Sequence, residues 1–297
     1  MPSSVNQQTP TVVVVGSLHY DIMIDAPHQP QTGETLAGSR WYPKFGGKGG
    51  NQAVAASRAG CTTHMVSAVG DDDFGTYLLR QLASANVSVE YVQAVRGTGS
   101  GMSVAINDRS GDYAAVIVSG ANLKIDPVAL ESETLWEQAA VLLLQNEVAE
   151  SLNLSAALRA RQSDVLICCN AAPARHLSAQ LAELVDILIV NEIEAAYLCD
   201  QPVDSTESAQ AAAVTLARRY PTVVVTAGAK GLAVATKKGD VFYLPAREVE
   251  LVSTHGAGDV FTGTLCAALA GGDSLSDAAA RANEAAAVHV SRQVSVN

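Results

Sequence analysis

The chain has 297 residues, 48% apolar and 16% charged, with 19 Lys and Arg against 30 Asp and Glu for a formal charge of −11. So large an apolar share excludes a disordered chain. At a pI of about 4.9 the chain has no general attraction for nucleic acid or an anionic membrane, so neither is expected as a partner. Any phosphate must then be held locally, by backbone N–H groups and a few cations such as Lys48 or Lys230.

Residues 1–10 carry no Lys or Arg, the first being Arg40, so the chain does not open like a secretory signal. Strand-like β-branched or aliphatic runs follow at 11–15, 63–69, 141–144, 165–168, 187–190 and 222–226. Ala/Leu-rich helical patterns lie between them at 51–59, 76–85, 151–161, 177–184, 192–199 and 208–219. Alternation of this kind predicts a mainly parallel sheet covered by helices on both faces. The uncharged stretch 260–272 is shorter than the ~20 residues of a membrane span. Five cysteines, two of them the adjacent Cys168 and Cys169, suit neither a disulfide framework nor a C-x-x-C zinc site. A cytoplasmic protein with reduced thiols is expected.

Length alone suggests two domains, but no linker divides the chain. Residues 18–44 and 99–119 instead alternate as β segments, with turn residues Gln31-Thr32-Gly33 and Arg109-Ser110-Gly111-Asp112. The expectation is one α/β domain over residues 1–297, with a β lid from about 18–44 and 99–119 that shuts over a site and excludes water. The outward β surface of such a lid also makes a homodimer through it an expectation.

The strongest motif is His255-Gly256-Ala257-Gly258-Asp259. Phe261, Leu265, Ala268 and Leu269 follow at helical spacing, which places Asp259 at a helix N-terminus. Free N–H groups and the helix dipole form an anion site there. Asp259 suits a base that takes a hydroxyl proton while the neighbouring amides stabilise a transferring phosphoryl group. A helix-capping Asp after a glycine-rich turn accounts for the same residues. The second motif, Phe45-Gly46-Gly47-Lys48-Gly49-Gly50-Asn51, is not a P-loop, because Gly49 follows Lys48. It reads either as a ligand cradle or as a glycine-rich turn with a solvated Lys. Asn191-Glu192-Ile193-Glu194 and Thr226-Ala227-Gly228-Ala229-Lys230-Gly231 each follow a strand, where open α/β sheets bind ligands; a capped helix and a plain turn are the alternatives. Asp21 and Glu147 lie just beyond strands as well. The histidines show no metal-ligand spacing.

In this order the segments resemble the ribokinase (PfkB) family of sugar and nucleoside kinases, from Val12 to about Ser291. The resemblance rests on Gly46-Gly47-Lys48-Gly49-Gly50-Asn51, Asn170–Arg175, Asn191–Glu194 and Gly256-Ala257-Gly258-Asp259. It implies a three-layer α/β sandwich with a β-sheet lid, and ATP-dependent phosphorylation of a primary hydroxyl of a small sugar. D-ribose, giving ribose 5-phosphate, is the leading acceptor. The alternatives are a kinase for another furanose, a ketohexose or a nucleoside, and a non-catalytic sugar or nucleotide sensor. The resemblance makes Asp259 the base and the Gly256, Ala257 and Gly258 amides the anion hole. It assigns Asn191, Thr226, Gly228, Gly231, Gly258 and Asn283 to ATP, and Glu194 to Mg²⁺ through water. To the acceptor it assigns His19, Asp21, Gly47, Lys48, Asn51, Ser103, Glu147 and Asp259. Three positions depart from the family pattern: His19 where Asn is usual, Ser253 where Asp is usual, and Gln293-Val294-Ser295-Val296 in place of a glycine-rich segment. The last two weaken the case for K⁺ activation, and the first leaves room for an acceptor other than ribose.

Overall fold

The computed structural model describes residues 9–108 and 113–291. The turn residues 109–112 and the segment 293–296 lie outside the described residues. The strands are β1 (Thr11–Val15), β2 (His19–Asp25), β3 (Arg40–Gly46), β4 (Thr62–Gly70), β5 (Val87–Ser88), β6 (Val92–Val95), β7 (Met102–Asn107), β8 (Tyr113–Val118), β9 (Ala139–Gln145), β10 (Leu166–Asn170), β11 (Ile187–Asn191), β12 (Thr222–Thr226), β13 (Leu232–Thr236) and β14 (Val241–Leu244). The helices are α1 (Lys48–Arg58), α2 (Asp73–Ser84), α3 (Glu133–Trp136), α4 (Glu150–Gln162), α5 (Ala179–Leu184), α6 (Glu192–Cys199), α7 (Thr206–Leu216), α8 (Ala257–Ala270) and α9 (Leu275–Ser291).

The main sheet runs β14-β13-β12-β11-β10-β9-β1-β4-β5, with β6 also paired to β4. It is parallel except at the β12-β13-β14 edge. Buried side chains alternate along each strand between two cores. Val13, Val15, Leu142 and Leu144 pack against α4–α7, while Val12, Val14 and Leu143 pack against α1, α2, α8 and α9. Burial on both faces is why these strands read as unbroken apolar runs. The edge hairpin β13–β14 and the long helix α9 fell outside the sequence-predicted elements: β13 and α9 are Ala-rich, and β14 is only four residues long. Helix α5 also begins later than expected, with Ser178 accepting from the Leu181 N–H as its N-cap.

Two features place the site. The strand order reverses at β1, whose neighbours β4 and β9 follow opposite directions of winding, and crevices open at the C-terminal ends of strands at such points. There the Ser17 hydroxyl, just past β1, donates to Glu147, just past β9, at 2.5 Å. Above this crevice stands a separate four-stranded sheet, β3-β2-β7-β8, built from both stretches that alternate in the sequence. The cysteines are free and, Cys199 apart, buried; burial pushes the Cys169 thiol up to about 12. Among the described residues no helix is long and apolar enough to cross a membrane.

Candidate active site

Helix α8 begins at Gly256, whose φ of +80° is a left-handed conformation that favours glycine. No side chain caps this end. The Ala257 N–H is directed at the Thr254 carbonyl, at 3.3 Å. The Gly256, Gly258 and Asp259 N–H groups have no partner among the described residues, so two of the three expected amides are free and the Asp259 amide joins them. Free first-turn amides at the positive end of the dipole favour an anion.

The Asp259 carboxylate is fixed from helix α1. Gln52 Nε2 donates to Oδ1 at 2.9 Å and Asn51 Nδ2 to Oδ2 at 3.3 Å. Gln52 Nε2 also donates to Asn170 at the end of β10, at 2.9 Å. The helices approach this closely because of Gly263, where a Cβ would lie 2.4 Å from the Gln52 carbonyl. Burial, the largest influence, pushes the Asp259 carboxyl above the usual Asp range; Lys48, Gln52 and Asn51 pull it back. A carboxylate held by two amide donors and raised by burial is suited to accept a proton.

Asp259 lies between two cavities. One, of about 180 Å³, is lined by Lys48, Asn170, Asn191, Glu194, Thr226, Gly256, Gly258 and Thr262. The other, of about 640 Å³, includes Lys44, Asn51, Arg58, His255 and His289. Asn191 and Glu194 form a capping box on α6, each side chain bonded to the other's N–H at 2.8 Å. The helix-cap and ligand readings of this motif therefore hold together, since the same residues line the smaller cavity. Glu194 is buried, which raises its pKa, opposed by the Asn191 N–H and the nearby Lys48 ammonium. Among the described residues no cluster of three or more His, Cys, Asp or Glu could cage a metal. This donor set fits Mg²⁺ only in its common mode, with one or two carboxylates and with water and phosphate oxygens completing the shell.

Lys48 lines the smaller cavity with Asn191, Glu194 and Asp259, and its backbone N–H donates to Glu147 at 2.8 Å. Asp21 is not at a main-sheet strand end but inside lid strand β2, where Ser103 on β7 donates to it at 2.5 Å. Burial raises the Asp21 carboxyl, and the Ser103 hydrogen bond is the first of the influences opposing it. Gly46 is required beside it, because a Cβ there would lie 1.9 Å from Asp21 Oδ2. Gly47, at φ +88°, caps α1 against the Ser17 carbonyl. His19 is buried, and its Nε2 has no partner among the described residues. Gly228 and Gly231 flank a 3-10 turn between β12 and β13, and Asn283 donates to the Pro245 carbonyl at 2.8 Å. None of these three lines the smaller cavity. Gly231 has a packing reason of its own, since a Cβ would lie 2.1 Å from the Leu244 carbonyl.

Four residues at the site escaped the sequence reading as site residues: Ser17, Lys44, Gln52 and Asn170. Gln52 and Asn170 sit inside the motifs that were recognised, so their position was the available signal. For Lys44 on an apparent surface strand there was none.

The family described as pfkB family carbohydrate kinase matches residues 9–296. A ribokinase from Mus musculus is 36% identical over 290 residues, covering 96% of this chain and 90% of the relative. A ribokinase from Haemophilus influenzae is 34% identical over 285 residues, covering 95% and 93%. Among solved structures, Arabidopsis thaliana ribokinase complexed with ribose and ATP superposes with a TM-score of 0.89 at 27% identity, covering 96% of this chain and 94% of that one. A match over nearly the full length, with Asp259, the free amides and the lid in one arrangement, makes the chain a member of the pfkB family of carbohydrate kinases.

Proposed function

We propose that this kinase transfers the γ-phosphoryl group of ATP to a primary hydroxyl of a small sugar, D-ribose being the acceptor, to give ribose 5-phosphate. The observation that carries this reading is Asp259, held by Asn51 and Gln52 beside the free Gly258 and Asp259 amides. Asp259 accepts the hydroxyl proton, and the amides and Lys48 stabilise charge on the transferred group. Phosphoryl transfer asks the protein mainly for positioning and charge stabilisation. The acceptor side is drawn from Asp21, Ser103, His19, Asn51 and Glu147, whose Oε2 is already engaged by Ser17 and Lys48. Asn191, Glu194 and Thr226 serve the phosphates, with Gly228, Gly231 and Asn283 further out toward the nucleotide. Mg²⁺, reached from Glu194 through water, would neutralise phosphate charge.

The test is ADP release with ribose, deoxyribose, fructose, nucleosides and pseudouridine. Turnover greatest with ribose is expected, and none with any of them would overturn the reading. Asp259→Asn should lower kcat roughly 10²–10⁴-fold while ATP still binds; a sensor would not change in signalling. Replacing K⁺ by a large inert cation should alter activity little, as Ser253 offers only a hydroxyl, already facing the His255 N–H. A dimer through the lid is part of the same reading. Val116, Ile117 and Val118 on edge strand β8 are exposed, and sedimentation of a Val116→Lys variant against the parent tests it.

A further inference from the structure

Strand register sets a row of three side chains across one face of the lid: Lys44 on β3 pairs with Asp21 on β2, which pairs with Ser103 on β7. Ser103 and Asp21 are hydrogen-bonded. Lys44, at the end of that row, lines the same cavity as Asp259, Asn51 and His255. Its ammonium forms no ion pair within 4.0 Å among the described residues. It is a half-buried cation standing between two carboxylates, Asp21 from the lid and Asp259 from the body, without closing on either. Burial lowers its pKa, and the charges of Asp21 and Asp259 oppose that.

We propose that Lys44 is a specificity-determining residue: its ammonium donates to an acceptor hydroxyl that in turn donates to Asp21, so that the lid selects a hydroxyl at this place. The inference rests on the sugar-kinase reading above. Its chemical logic is the donor inventory. An ammonium only donates and an ionised carboxylate only accepts. A hydroxyl between them does both, whereas a carbonyl or ether satisfies Lys44 alone and a deoxy carbon satisfies neither. Because Lys44 also faces Asp259, the lid brings a positive charge to the base when it is in place. An opposite charge at this range favours the ionised carboxylate. The other charged and titratable groups around this position are His19 on β2, Lys48 and Arg58 from α1, His255 before α8, Arg281, Glu284 and His289 from α9, and Glu147 beyond β9.

The experiment compares the parent with Lys44→Met and Lys44→Arg on ribose and on each monodeoxyribose, with ATP varied separately. Lys44→Met should raise the ribose KM about tenfold, the scale of one charge-assisted hydrogen bond, and leave the KM for ATP unchanged. The penalty should vanish for one deoxy sugar only, the one lacking the bridging hydroxyl. The acid limb of the kcat/KM profile should move to higher pH in Lys44→Met and return in Lys44→Arg. A variant with parental ribose KM and acid limb, or one that penalises every deoxy sugar alike, would overturn the proposal. The underlying reading fails differently, by absence of sugar-dependent ADP release in the parent or by full turnover in Asp259→Asn.

Discussion

Two glycine-rich loops enter helices at this site, and they have opposite fates. At the start of α1 the N–H groups are consumed by the protein. Lys48 N–H meets Glu147 at 2.8 Å, Gly50 N–H meets the Ser17 carbonyl at 2.9 Å, and Asn51 N–H meets Gly47 at 2.9 Å. At the start of α8 the Gly258 and Asp259 N–H groups remain open to a ligand. The glycines differ accordingly. A Cβ at Gly49 would lie 2.6 Å from the Ser17 N, whereas one at Gly258 would meet nothing within 4 Å. Glycine in α1 permits packing, while glycine in α8 keeps an anion's approach clear. The same residue type thus serves packing in one loop and leaves open space in the other.

Paired substitutions can break this contrast. Gly49→Ala should cost about 1–3 kcal/mol by overpacking, read as a lower denaturation midpoint. Gly258→Ala should leave the midpoint within about 0.5 kcal/mol and lower kcat instead. Equal stability losses at the two positions would remove the distinction. Next in size, Glu147→Gln should cost about 1 kcal/mol, because the α1 terminus loses the negative charge at its dipole, and should also raise the acceptor KM. The smallest effect has the opposite sign. With its folded pKa raised, Asp259 contributes stability below its unfolded pKa that is lost as pH rises through the folded value. Asp259→Asn should therefore melt no lower than the parent near neutral pH, and slightly higher, while losing turnover. A clear drop in melting temperature would mean that the carboxylate is part of the scaffold.

The lid and the body also differ in how legible they were. The body strands at 11–15 and 222–226 were readable to the residue, since β-branched runs buried on both faces have few alternative conformations. The lid was readable as alternating β, but its register was not. That is why Asp21 is read in the lid without its neighbour and Lys44 has no role in the sequence analysis, although the two pair directly across β2 and β3.

By itself the sequence determined the sandwich, the lid, the place of Asp259 at a helix start and both glycine-rich loops, because hydrophobic period and backbone freedom are local properties. Only the tertiary structure decided which loop keeps free amides, that Lys48 enters the cavity lined by Asn191 and Glu194, and that Gln52 ties Asp259 to Asn170. Each of these depends on a hydrogen bond or packing contact between groups more than 90 residues apart in the chain or on the direction a side chain takes into a shared cavity. No window of sequence contains both ends of such a contact.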